Sequence, residues 1–126
     1  MRSYIVDTYA WVSYFEGKKE FKEAIEENEL YTPSIVLAEF SRILVRKRIP
    51  QDKRSKTLGF VRKRSLILSL DETNAVKAGE IAEKEGLHLI DGIIYSYVDE
   101  DVWLLTGDKH FMNKPFVNLI EGSNAT

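Results

Sequence analysis

The chain reads as an α/β protein, a three-layer sandwich built on a mainly parallel central sheet. Short apolar runs predict the strands: Ser3-Tyr4-Ile5-Val6, Leu66-Ile67-Leu68, Val102-Trp103-Leu104-Leu105 and Phe116-Val117-Asn118-Leu119-Ile120. Between them lie segments whose apolar residues recur every three or four positions, the helical period. Strands that alternate with helices in this way form a parallel sheet covered by helices. With 126 residues and 44% hydrophobic content the chain is sized for one core. One domain over residues 1–120 is expected, followed by a small polar tail, 121–126, that frays.

Taken in order, the first strand runs straight into Asp7. Ala10, Trp11, Tyr14 and Phe15 mark a helix that stops at Gly17, and Phe21, Ala24 and Ile25 mark a second, more charged one. Leu30-Tyr31 is a short strand. Thr32-Pro33 then offers a capping hydroxyl and a first-turn proline for a strong helix to about Arg48. Pro50 closes that helix, and Gln51 to about Arg64 forms an amphipathic partner through Leu58 and Val61. After the Leu66–Leu68 strand, Asp71 caps a helix carrying Ala75, Val76, Ala78, Ile81 and Ala82, ended by Gly86. Asp91 opens another, with Ile94, Tyr95 and Val98 on its face, before the two C-terminal strands.

Composition closes off several kinds of chemistry. No cysteine is present, so disulfides, thiolate metal sites and cysteine nucleophiles are excluded together, which suits a reducing cytosol. The two histidines, His88 and His110, do not have zinc-motif spacing. There is no Gly-x-Ser-x-Gly elbow and no glycine-rich phosphate loop. The N-terminal apolar run is too short for a signal peptide and no stretch is long enough to span a bilayer, so a cytoplasmic protein without a membrane partner is expected. A net charge of −2 argues against a uniformly basic nucleic-acid binder. The mean hides a basic block from Arg42 to Arg64, opposed only by Asp52. It reads either as a solvated helical face or as a phosphate-tracking surface, placed near Glu39 by the helix they share.

Four acids stand where apolar runs stop: Asp7, Glu39, Asp91 and Asp108. Carboxylates at the edge of a core lose hydration and are rarely buried without a partner. Asp7 and Asp108 follow strands, at the sheet edge where ligands gather in such folds. Glu39 shares a helix face with Ile35 and Ile43, and Asp91 with Ile94 and Tyr95, so both point inward. Two like charges about 4 Å apart repel by roughly 4 kcal/mol at an effective dielectric near 20, so a converging set needs protons, basic partners or a cation. An all-oxygen set suits Mg²⁺ or Mn²⁺, ions that handle phosphates. Thr106, two residues before Asp108, is placed to bind that carboxylate or an attacking water. The competing reading makes Asp7 and Asp91 helix caps, Asp108 a turn former, and Glu39 the ion-pair partner of Arg42 or Arg46.

Asp7 after the first strand, Ser34-Ile35-Val36-Leu37-Ala38-Glu39, Leu89-Ile90-Asp91 and Thr106-Gly107-Asp108-Lys109-His110-Phe111 resemble, in order and spacing, the acidic motifs of PIN-domain ribonucleases. The resemblance spans nearly the whole chain and is closest in size to the VapC toxins of prokaryotic toxin–antitoxin pairs. It implies a PIN-like fold and Mg²⁺- or Mn²⁺-dependent cleavage of single-stranded RNA. Asp7, Glu39, Asp91 and Asp108 would be the acidic, metal-binding set and Thr106 the supporting hydroxyl. It further implies a cognate VapB-type antitoxin and a homodimer. The chain departs from the family pattern at Gly92, where alanine is common, at Tyr95-Ser96-Tyr97, where small residues are frequent, and at Gly107, where a basic residue is frequent.

Other classes remain beside this one. An RNA-processing PIN nuclease outside a toxin pair, or a catalytically silent RNA- or protein-binding module, would carry the same residues. A haloacid-dehalogenase-like phosphatase would need a second aspartate where Tyr9 stands, and a receiver domain would need paired acids it lacks. Trp11, Tyr14 and Phe15 read as core or dimer contacts, Trp103 as core, His88 as structural, and His110 as a neighbour of the acidic site.

Overall fold

The structure is a computed structural model that describes residues 1–121. The expected frayed tail, from residue 122 on, lies outside the described residues. Five strands form the sheet: β1 (Ser3–Val6), β2 (Glu29–Pro33), β3 (Leu66–Leu68), β4 (Val102–Thr106) and β5 (Val117–Leu119). Six helices flank it: α1 (Thr8–Phe15), α2 (Lys19–Glu26), α3 (Ser34–Arg46), α4 (Gln51–Arg64), α5 (Glu72–Glu85) and α6 (Leu89–Tyr95).

Strand order is β3-β2-β1-β4-β5 and every pairing is parallel. The chain winds outward from β1 through β2 to β3, then returns through α5 and α6 to β4 on the other side of β1. Right-handed crossovers running in opposite directions place their helices on opposite faces, which produces the three layers. The reversal also opens a crevice between the carboxyl ends of β1 and β4, the topological switch point of the sheet. Register places Val6 beside Leu105 across that crevice. Ile5, Val6, Leu104 and Leu105 are buried and pack with Trp11, Phe21, Ile25, Val36 and Phe111 into one core.

Several elements differ from the sequence expectation for identifiable reasons. Thr32 does not cap α3. It ends up fully buried in β2, where its hydroxyl accepts from the Trp11 indole N–H at 3.1 Å and pairs with Ser65 Oγ at 2.7 Å, and Pro33 takes the cap position. Helix α3 stops at Arg46 because Arg48 turns left-handed at φ 60°, with Ile49 N–H returning to Leu44 O at 3.0 Å. Phe116 also has φ 60°, so the last strand starts one residue later. Trp103 is only partly buried: Arg2 lies 4.8 Å above its ring and its indole N–H reaches Glu100 O at 2.9 Å.

The α5–α6 pair uses small residues rather than the larger apolar ones. Ala78 and Ala82 are buried, whereas Ala75 is exposed and Val76 is 67% exposed. Gly92 faces them so closely that a Cβ there would lie 2.5 Å from the Ala82 methyl. That approach explains glycine at this position. A Cβ on Gly107 would likewise fall within the Tyr9 ring, 2.2 Å from one of its carbons, so the aromatic ring occupies the space a larger residue would need.

Candidate functional site

Asp7 directly follows β1 and caps α1, its Oδ1 accepting from Ala10 N–H at 2.9 Å. Its Oδ2 accepts a very short hydrogen bond from the Thr106 hydroxyl. The same hydroxyl oxygen accepts from the Asp108 backbone N–H at 2.9 Å. Thr106 therefore binds the carboxylate of Asp7, not that of Asp108, and ties the ends of β1 and β4 together across the crevice. The capping role and the inward-facing role of Asp7 are compatible, because each oxygen uses one lone pair and keeps another.

Asp7 is buried, and desolvation pushes its pKa from 3.8 up to about 7. The Thr106 and Ala10 hydrogen bonds oppose the rise, while the charges of Asp108 and Asp91 add to it. Asp91 is also raised, first by burial and then by Asp108, with Glu39 adding and His110 and His88 opposing. Asp7, Asp91 and Asp108 thus lie within electrostatic reach of one another, and Glu39 within reach of Asp91, although they come from the end of β1, α6, the segment after β4 and α3.

Closer inspection divides the four. Asp91, Asp108 and His110 each offer one donor atom within 4.8 Å of the other two, a geometry able to hold a metal ion. Asp7 and Glu39 are not part of that tight group. Glu39, on α3, accepts from the Thr8 hydroxyl at 2.7 Å. Among the described residues no lysine or arginine forms an ion pair with any of the four acids, so the Arg42 or Arg46 pairing for Glu39 is not formed.

Asp91 does not open α6. It stands in the first turn behind His88, Leu89 and Ile90, with Leu89 61% and Ile90 38% exposed. The apolar run before it forms the exposed first turn of α6, and His88, read as structural, is exposed at its N-cap. Its ring lies edge-to-face with that of His110 at 5.6 Å. His110 belongs to a 3-10 turn, Lys109–Phe111, capped by Asp108 through the His110 N–H at 2.9 Å. The sequence placed His110 beside the site but did not assign it a ligand role; its position two residues after an acid was the available signal.

Part of the basic block lies away from the acids. Glu39 and Arg46 are separated by about 10 Å along the helix axis at 1.5 Å per residue, so α3 carries the block away from the acids. Arg64 donates to the Ile25 and Asn28 carbonyls, and Asn28 Oδ1 accepts from Arg2 N–H at 2.8 Å, at the amino ends of β1 and β2. Arg54 is bound to Ile49 O at 2.7 Å and Lys47 to Glu16 at 3.7 Å. These side chains hold the fold together at the edge opposite the carboxylates.

A five-strand parallel sheet whose switch crevice gathers acids from four segments is an α/β fold with its candidate site where ligands bind in open sheets. The sequence matches the PIN domain family model over residues 4–117. The chain belongs to the PIN domain family. No curated protein matches it. Among solved structures, a chain of a toxin–antitoxin complex from Klebsiella pneumoniae superposes with TM-score 0.79 at 18% identity, over 94% of this chain and 99% of that one. A chain of VapBC2 from Rickettsia felis, bound there to a promoter DNA fragment, gives 0.72 at 22% identity over 94% and 98%. A chain from Pyrobaculum aerophilum gives 0.68 at 20% over 93% and 88%. At these identities the likenesses concern the fold.

Proposed function

We infer that this protein is a metal-dependent endoribonuclease that hydrolyses single-stranded RNA, the toxin of a toxin–antitoxin pair. The observation that carries the reading is the gathering of Asp7, Glu39, Asp91 and Asp108, with no lysine or arginine partner among the described residues, at the switch crevice of a PIN-family chain. Residues 1–120 are taken as one nuclease domain, 121–126 as its polar tail, and the cytoplasm as its location. Among the described residues no helix is long and apolar enough to cross a membrane.

Asp91 and Asp108, with Asp7 and Glu39 behind them, would hold Mg²⁺ or Mn²⁺, for which an oxygen-rich, partly desolvated pocket is suited. When bound, such an ion lowers the pKa of a water and neutralises charge on the scissile phosphodiester. Thr106 fixes Asp7 and the Asp108 backbone in one frame, and Thr8 fixes Glu39, so the carboxylates do not have to be ordered during the reaction. Burial of Asp7 on the core side excludes water from one wall. The products implied by the family resemblance are a 5′-phosphate and a 3′-hydroxyl.

The antitoxin assignment draws on the solved toxin–antitoxin complexes of the same fold, and the homodimer assignment on the family resemblance. They also draw on the aromatic cluster of Trp11, Tyr14, Phe15, Phe40 and Phe60, which leaves Phe15 40% and Phe60 39% exposed. The deciding experiment is Asp91→Asn with a panel of single-stranded RNAs in Mg²⁺ and Mn²⁺. Cleavage is expected to disappear while the metal-free fold stays as stable or becomes more so, because a desolvated charge is removed. Cleavage at the wild-type rate would refute the assignment. Stabilisation by metal without cleavage by the wild type would favour the silent binding module.

A further inference from the structure

The acidic crevice has a nitrogen donor that an all-carboxylate set lacks. His110 Nδ1 lies 2.9 Å from Asp108 Oδ1 and 3.8 Å from Asp91 Oδ2. Adjacent donors around an octahedral ion with bonds of about 2.1 Å are separated by roughly 3.0 Å, and around a tetrahedral ion by roughly 3.4 Å. The two observed separations bracket these edges, so small side-chain rotations would close the three atoms on one ion. The backbone helps: His110 N–H is already bound to Asp108 Oδ1 at 2.9 Å, which fixes the start of the side chain whatever the ring does. The His110 side chain is 62% exposed, so the ring is free to rotate toward the carboxylates, and the His88 ring stands edge-to-face with it at 5.6 Å.

The geometry points to His110 as a direct metal ligand, making the crevice a mixed site of two carboxylates and one imidazole that selects transition ions over Mg²⁺. This inference rests on the metal-site reading above and concerns which ion that site prefers. The neutral imidazole would bind through the Nδ1 lone pair, with its single N–H on Nε2. Imidazole adds little for Mg²⁺, a hard ion that holds its waters, but adds substantially for first-row ions from Mn²⁺ to Zn²⁺. His88 backs the ring and is not counted as a ligand.

The test is electron spin-echo spectroscopy on Mn²⁺ added to the full chain, with titrations of Mn²⁺, Zn²⁺ and Mg²⁺ by calorimetry. Wild-type protein should show ¹⁴N modulation from a coordinated imidazole, replaced by ¹⁵N modulation when histidine alone is isotope-labelled. His110→Ala should lose that modulation and bind Mn²⁺ and Zn²⁺ roughly 10-fold or more weakly, with Mg²⁺ affinity nearly unchanged. Its backbone N–H bond to Asp108 survives the substitution, so folding is not at issue. His88→Ala should keep the modulation. Mn²⁺ that binds, is lost in Asp91→Asn, and shows no histidine nitrogen would overturn the inference and leave the metal site standing. Modulation that survives in His110→Ala would also overturn it. Failure of Mn²⁺ to bind at all would defeat both readings.

Discussion

Thr106 spends one hydroxyl on two partners, donating to Asp7 and accepting from the Asp108 N–H, and this double use governs the geometry of the crevice. Thr106→Val would leave both groups without their partner in a buried setting. Each unsatisfied group costs about 1–3 kcal/mol. Urea denaturation of Thr106→Val should show a loss of about 2–6 kcal/mol for the two groups together, and Thr106→Ser should recover most of it; equal losses in the two variants would mean the methyl, not the hydroxyl, matters. All four acids were legible in the sequence because charge at the end of an apolar run is costly and therefore conspicuous. The partner of Thr106 was not. Sequence proximity favoured Asp108, two residues on, whereas the β1–β4 register brings in Asp7 from the other end of the chain. His88 was misread for a related reason: the apolar residues after it, Leu89 and Ile90, face outward.

Packing of α5 against α6 sets the position of Asp91, because Gly92 is its neighbour and touches Ala82. Gly92→Ala would drive two methyl groups to 2.5 Å, and overpacking of this kind costs about 1–3 kcal/mol. The double variant Gly92→Ala with Ala82→Gly should recover part of the loss, less about 1 kcal/mol for glycine inside a helix. Denaturation midpoints of the single and double variants decide it, and strict additivity would rule out the contact. Alternation of strands and helices, and even the Asp71 and Gly86 boundaries of α5, could be read from the sequence, since those signals are local. The start of α3 could not. Thr32-Pro33 has the composition of a helix entry, but pairing with β3 extends the strand through Pro33, and the threonine hydroxyl meets Trp11 and Ser65.

For the molecule as a whole, the crevice stores unfavourable charge that the rest of the fold must outweigh. Asp7 holds its proton up to about pH 7 in the ion-free protein, against an ordinary value of 3.8. Between those values the native state binds more protons than the unfolded chain, so this residue makes stability fall as pH rises from about 4 to 7 and level off above. Asp91, shifted in the same direction, adds to the slope. Melting temperatures in EDTA across that range should show wild type losing ground to Asp7→Asn as pH rises; a constant difference between the two would contradict the shift. The basic block illustrates what composition cannot convey. Its charge was plain, but its direction depended on α3 running away from the acids and on Arg64 reaching the carbonyls of Ile25 and Asn28.

The hydrogen bond from Thr106 to Asp7 spans 99 residues of sequence. During synthesis Asp7 is made well before β4, the strand that flanks β1 on the crevice side. A nascent chain lacking β4 has an open edge on its central strand and no second wall for the carboxylates. The two walls of the crevice therefore meet only after β4 has been made and has paired with β1.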